Sequence, residues 1–257
     1  MWHCSRSRYF AILALALSRS TVEAPTPLRW AHVVFINAAG DAYTSGQNDF
    51  GQLGLGDQVE RASPSLALSG VRAVAWGAHH THFLTQEGDV FAAGSNSAGQ
   101  LGDGTFVDRS SLVQVLSKVK AIASGEAHSV FMLKNGSAFT AGWNGNGQLG
   151  DGTRLNRSTP VWIMDYVASV GAGWLHTVLL LKDGTVRAMG NNAYGQLGDG
   201  TRIEQLEPVE ARDEDIVRIE AGGFRTALLT SSGKTHDLGL TNWTGAVSPF
   251  SMQIGIR

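Results

Sequence analysis

The residues best equipped for chemistry in this chain are histidines. His79, His80 and His82 fall together. On a strand, residues two apart point the same way, so His80 and His82 would offer two imidazoles of the kind that bind zinc. No carboxylate or thiolate accompanies them, and His80 belongs to the series His32, His80, His128 and His176, spaced by 48 residues. A residue required once per repeat reads as framework, and a hydrogen bond to a neighbouring backbone is its expected task. The Asp-Gly-Thr triplets at Asp103, Asp151 and Asp199 lack the alternating acidic positions of a calcium loop. Each reads instead as a carboxylate capping its own turn. The stretch from Gly145 to Gly150 satisfies G-x-G-x-x-G, but no helix pattern follows it. Gly233-Lys234-Thr235 has the end of a phosphate loop without its earlier glycine, since position 228 is Leu. The single cysteine, Cys4, excludes an intrachain disulfide and a multi-thiolate metal site. The residues assemble no nucleophile and base, so the expectation is no catalytic residue, no metal, no cofactor and no enzyme.

The elements that hold these residues come from an internal repeat. Gly-Gln-Leu-Gly begins at Gly51, Gly99, Gly147 and Gly195, again 48 residues apart. Gly40, Gly88, Gly136 and Gly184 keep the same interval, as do Asn48, Asn96, Asn144 and Asn192. A fifth, degraded unit follows with one extra residue, so that Arg225-Thr226 stands 49 residues after His176-Thr177. The insertion is expected in a surface loop at 212–215. Within a unit, short apolar runs such as Val178–Leu181 read as strands covered on both faces. Asp183-Gly184 and Asn135-Gly136 then supply tight hairpin turns. After a second strand comes the glycine-rich loop. Pro64, Pro160 and Pro208 are expected to start a third strand, and Val71–Val74, Val119–Ile122, Val167–Val170 and Ile216–Ile219 a fourth. Four strands per repeat make one propeller blade.

The order Gly-x-x-His-Thr/Ser, apolar strand, Asp-Gly hairpin, Gly-x-Asn-x-x-Gly-Gln-Leu-Gly-Asp-Gly-Thr resembles the regulator of chromosome condensation repeat, most completely at Gly173–Thr201. The resemblance covers about residues 30–245. It implies an all-β fold, a propeller of four-stranded blades, seven in the family. Here there are four full repeats and a partial fifth, which suggests an incomplete ring. The resemblance also implies protein partners, among them a small GTPase whose nucleotide exchange the family's founding member promotes, or a ubiquitin-pathway component.

Composition agrees with this outline. Glycine is abundant at 32 residues, and charged residues are 16%, below the usual quarter. This favours turns and packed strands over charged helices. A formal net charge of −2 with scattered basic residues gives no electrostatic footprint for nucleic acid. Residues 1–28 are a leader: Arg6 and Arg8 precede an apolar run, Tyr9–Leu17, too short to span a bilayer. It fits either a signal peptide or a disordered leader, so the compartment stays open between cytoplasmic and secreted. Asn135, Asn156 and Asn242 begin sequons that matter only in the secretory case. Residues 29–257 form the propeller, with repeats at about 30–76, 77–124, 125–172, 173–221 and 222–257.

Positions that vary between repeats are not dictated by the fold. In the loops around Gly-Gln-Leu-Gly these include Phe50, Trp143 and Tyr194, aromatics suited to a protein-binding surface or to covering neighbouring loops. The leading expectation is a protein-interaction platform. The alternatives are a guanine nucleotide exchange factor and a secreted ligand-binding or inhibitor propeller. Self-association to complete the ring is a further expectation.

Overall fold

A computed structural model of the chain describes residues 32–211 and 215–240. The leader, the sequon at Asn242 and most of the expected insertion loop lie outside the described residues. Among those described, the fold is all-β, without a helix, and no helix is long and apolar enough to cross a membrane. Five antiparallel sheets follow one another along the chain. The first holds β1 (His32–Ile36), β2 (Ala42–Gly46) and β3 (Arg61–Leu68). The second holds β4 (Val71–Trp76), β5 (His80–Thr85), β6 (Val90–Gly94) and β7 (Arg109–Leu116). β8 (Val119–Ser124), β9 (His128–Leu133), β10 (Ala138–Gly142) and β11 (Arg157–Met164) form the third. β12 (Val167–Ala172), β13 (His176–Leu181), β14 (Val186–Gly190) and β15 (Gln205–Glu210) form the fourth. The fifth has β16 (Ile216–Gly222), β17 (Arg225–Thr230) and β18 (Thr235–Gly239).

Each sheet is a meander, and consecutive sheets stack through their innermost strands, β1 on β4, β4 on β8 and β12 on both β8 and β16. The arc is an open propeller; the first and last sheets do not close a ring.

The core lies between sheets, in layers. One layer packs Ala121, Ala123, Val130 and Met132 of the third sheet against Val167, Leu179 and Met189 of the fourth. The next packs Val178, Leu180 and Val186 against Ile216, Ile219, Ala221 and Leu228 of the fifth. The inner strands are therefore buried on both faces, which is why they read as continuous apolar runs.

Two features of the strands differ from the sequence reading. The strand expected to end each repeat opens the next sheet instead: Val71–Trp76 pairs with His80–Thr85, Val74 lying opposite Phe83. The sheets are thus phased one strand out of step with the sequence repeat. The prolines do not start the outer strands either. Pro64, Pro160 and Pro208 each stand three residues inside one. There the pairing slips, Thr44 facing Ser65 while Gly46 faces Arg61, so proline sits in a bulge on an edge strand where no ladder donor is needed.

The framework histidines join the sheets. Nε2 of His32 lies 2.9 Å from Oγ1 of Thr81 in the next sheet. The contact recurs as His80 to Ser129 at 3.2 Å, His128 to Thr177 at 3.0 Å and His176 to Thr226 at 2.9 Å. The expected backbone partner is replaced by a hydroxyl of the following sheet. Thr81, Ser129 and Thr177 give their own hydrogens to the carbonyls of Gln52, Gln100 and Gln148, each at 2.7 Å. A hydroxyl has one hydrogen to give, so the imidazole donates, which fixes the Nε2–H tautomer. The first three seams are two-step relays, from imidazole to hydroxyl to loop carbonyl.

Candidate binding face

Because strands alternate in direction, two loops of each blade emerge on one rim. The short one links the first and second strands (77–79, 125–127, 173–175, 223–224). The long one links the third and fourth strands (95–108, 143–156, 191–204), with 47–60 as its counterpart in the first sheet. The short loops form a belt: the amide of Ala78 donates to the carbonyl of Glu126, Glu126 to Trp174, and Trp174 to Gly223. Glycine must open the first three short loops, at Gly77, Gly125 and Gly173. A Cβ on Gly125 would stand 2.1 Å from Cε1 of His128 and 2.5 Å from the Gly173 carbonyl oxygen.

The long loop is fastened by its asparagine. Nδ2 of Asn96 donates to Asp103 Oδ1 (2.9 Å), to the carbonyl of Thr105 (3.0 Å) and to that of Val107 (3.2 Å), while its Oδ1 accepts from the amide of Leu101 (3.0 Å). Asn144 and Asn192 repeat the pattern with Asp151 and Asp199. The aspartate of Asp-Gly-Thr accepts from its own turn: Asp103 Oδ1 from the amide of Thr105 at 2.9 Å and its hydroxyl at 2.7 Å. Its other oxygen pairs with Arg109 at 2.7 Å, as Asp151 pairs with Arg157. In the fourth blade Gln205 replaces that arginine at Asp199. Burial pushes the Asp103 carboxyl up, but hydrogen bonds from Thr105, Arg109 and Asn96 outweigh it and hold it below its ordinary value. These carboxylates are engaged as turn caps.

His82 replaces the valine found at Val34, Val130 and Val178. It is buried, with Nε2 at 3.2 Å from the Leu101 carbonyl and its ring edge-on to Phe131 and His80. Burial lowers its pKa to about 4. Burial, then the neighbouring imidazoles, hold His80 well below its ordinary value. Nε2 of His80 and of His82 each has a partner, and among the described residues no group of three or more His, Cys, Asp or Glu could hold a metal ion.

The three aromatics singled out from the sequence all lie on this rim, on separate blades. The ring of Phe50 packs 4.9 Å from that of His79, and Phe50 is half-buried. Trp143, also half-buried, folds over Gly145, whose Cβ would meet the indole at 2.5 Å. Tyr194 is 43% exposed and lies 5.3 Å from Phe224, which meets Trp174 edge-on at 5.1 Å. Phe50 and Tyr194 hold the same repeat position, Trp143 another.

A second series escaped the sequence reading. Val59, Val107, Leu155 and Ile203 share one repeat position, eight residues after the first glycine of Gly-Gln-Leu-Gly, and are 60%, 59%, 63% and 68% exposed. Their backbone is held by the asparagine staple in three of the four, Val59, Val107 and Ile203. The fold uses that carbonyl and leaves the side chain in water. A second aliphatic position in every copy of the loop, besides the leucine of Gly-Gln-Leu-Gly, was visible in the aligned repeats. It passed unremarked because a recurring residue reads as framework. Including the arginines that begin the outer strands, the rim carries nine carboxylates and five arginines, so its surplus charge is negative.

An open arc of antiparallel blades, joined by imidazole–hydroxyl seams, defines a repeat propeller. The regulator of chromosome condensation (RCC1) repeat matches residues 39–84, 87–132, 135–180 and 183–229. A second form of the same repeat matches 71–100, 119–148 and 167–196. The chain belongs to the RCC1 repeat family. Among solved structures, human WBSCR16 superposes with a TM-score of 0.74 at 22% identity, over 85% of this chain and 63% of that one. Prp20p from Saccharomyces cerevisiae gives 0.66 at 20% identity, over 82% and 55%. Yeast RCC1 (Prp20), in a structure with Kap60 bound, gives 0.58 at 19%, over 83% and 69%. The chain thus spans less than two thirds of the first two structures. No curated protein matches it in sequence.

Proposed function

We propose that the chain is a protein-interaction platform whose contact surface is the loop rim bearing Phe50, Trp143 and Tyr194 together with Val59, Val107, Leu155 and Ile203. The observation that carries this is the exposed aliphatic series. Four blades each hold an apolar side chain in water, where water alone gives no reason for it, and aromatic and aliphatic groups in a polar surround suit a protein contact. The surplus of carboxylates on the rim favours a partner with basic groups.

The Prp20p structure is reported with that protein's binding properties to Gsp1p and histones. Those are the partners to test first. Immobilised chain is presented with a panel of small GTPases and with core histones, beside a variant carrying Val107→Ser, Leu155→Ser and Ile203→Ser and another carrying Phe50→Ala, Trp143→Ala and Tyr194→Ala. Binding that both variants weaken at least about tenfold, roughly 1.4 kcal/mol, supports the rim. Binding that neither variant changes removes it. Nucleotide exchange on a small GTPase is a second reading, favoured only by the likeness to Prp20p. A nucleotide-release assay in which no GTPase of the panel responds ends it.

A further inference from the structure

The fifth sheet presents its forward face, the one that would receive another blade, in a form unlike any interior sheet. Interior forward faces are small and uncharged. At one position stand Ala75, Ala123 and Gly171, all buried, and a Cβ on Gly171 would already touch Ala221 of the next sheet at 3.5 Å. The fifth sheet has Glu220 there. At a second position Ala73, Ala121 and Ser169 give way to Arg218, and at a third Ala92, Thr140 and Ala188 give way to Asp237. Arg218 and Glu220 form an ion pair at 2.7 Å. The framework histidine is replaced as well: Arg225 stands where a fifth seam imidazole would be, paired with Asp237. Beside the Arg218–Glu220 pair lies a groove of about 180 Å³ lined by these two and by Ala227, Leu228, Leu229 and Thr235. The first sheet lacks the other half of such a seam, Val33 standing where Thr81, Ser129 and Thr177 supply the hydroxyl.

We infer that the fifth sheet is a capping blade, whose charged forward face excludes blade-on-blade stacking by a second copy of this chain. Repeat arrays need terminal units with polar outer faces to stay soluble. Stacking a blade here would bury two ion pairs against apolar side chains, with no seam hydroxyl on the incoming first sheet to join them. Head-to-tail completion of the ring by a second copy is therefore closed at this end.

The test restores the interior pattern in the full chain with Arg218→Ser, Glu220→Gly, Arg225→His and Asp237→Ala, and follows mass by sedimentation across a concentration series. The wild type is expected to show no association that shields β16 and β18 from amide exchange. The fourfold variant is expected to associate as concentration rises. Glu220→Lys, which keeps the face charged, is expected to behave as wild type. If the fourfold variant loses its cooperative melt, the double variant Glu220→Gly, Asp237→Ala carries the same expectation. A folded variant that sediments like wild type overturns the inference, and so does wild-type association that protects β16 and β18.

Discussion

At the residue scale, the seams make stability a titration. Burial lowers His32 and His128 to about 3 and His176 to about 4, with a neighbouring imidazole adding to the effect at the first two. His80 and His82 move the same way. Each is neutral when folded and binds a proton more readily when unfolded. Its contribution is complete above the unfolded value of about 6.5 and is lost as pH falls toward the folded value, at about 1.4 kcal/mol per pH unit for each proton. We expect urea midpoints to be flat above about pH 7 and to drop steeply between about pH 6 and 4. The carboxylate caps, also held below their ordinary range, add their loss only at the lower end of that window. His176→Gln keeps a donor toward Thr226 and removes one titrating group, so its midpoint should fall less steeply with pH. An identical slope would show that the imidazole is already charged in the folded state. The histidine series was legible as framework from its spacing. Its partner was not, because Thr81 and Ser129 look like neighbours of His80 and His128 in sequence, and only stacking shows that each serves the histidine of the preceding blade.

At the element scale, two predictions separate a rigid part from a tolerant one. Gly125→Ala would place a methyl within 2.5 Å of both the His128 ring and the Gly173 carbonyl. The belt and the seam meet there, so neither can yield. A loss above about 4 kcal/mol, or failure to fold, is expected; a chemical melt within 1 kcal/mol of wild type, on the same scale, would mean that the belt is loose. Gln205→Arg restores to the fourth blade the ion pair that Arg109 and Arg157 make in the second and third. Since those arginines are a third exposed, the gain should be small, about 0.3–1 kcal/mol, and lost in high salt. The elements themselves were readable because each inner strand is a short apolar run ended by a glycine turn. Their phase was not. The turns that connect one sheet to the next, at Gly70, Lys118 and Tyr166, share a left-handed backbone but no residue type, so nothing in the sequence marks where a blade begins. The aliphatic rim was hidden for the opposite reason, since sameness at Val59, Val107, Leu155 and Ile203 resembles a folding requirement until exposure is known.

At the scale of the whole molecule, an open arc has no ring to share its load. Among the described residues the main contacts of each sheet are with its neighbours along the chain, so stability is a sum of blade and seam contributions, and the outermost of these sheets open first. Among the described residues the fifth sheet has one neighbour, three strands and no seam histidine of its own. The third has two neighbours, four strands and seams on both sides, through His80 to Ser129 and His128 to Thr177. Native-state amide exchange should therefore rank β9 and β13 as most protected and β17 as least. β5 should fall between, because the first sheet covers it with only three strands. Thr226→Val, which leaves His176 without its acceptor, should speed exchange in β17 and barely change β9. If every strand instead exchanged through one common opening, and Thr226→Val slowed or sped them all alike, the blades would act as a single cooperative unit. The rim would then present its aromatic and aliphatic groups on one body, with no blade able to loosen from the rest.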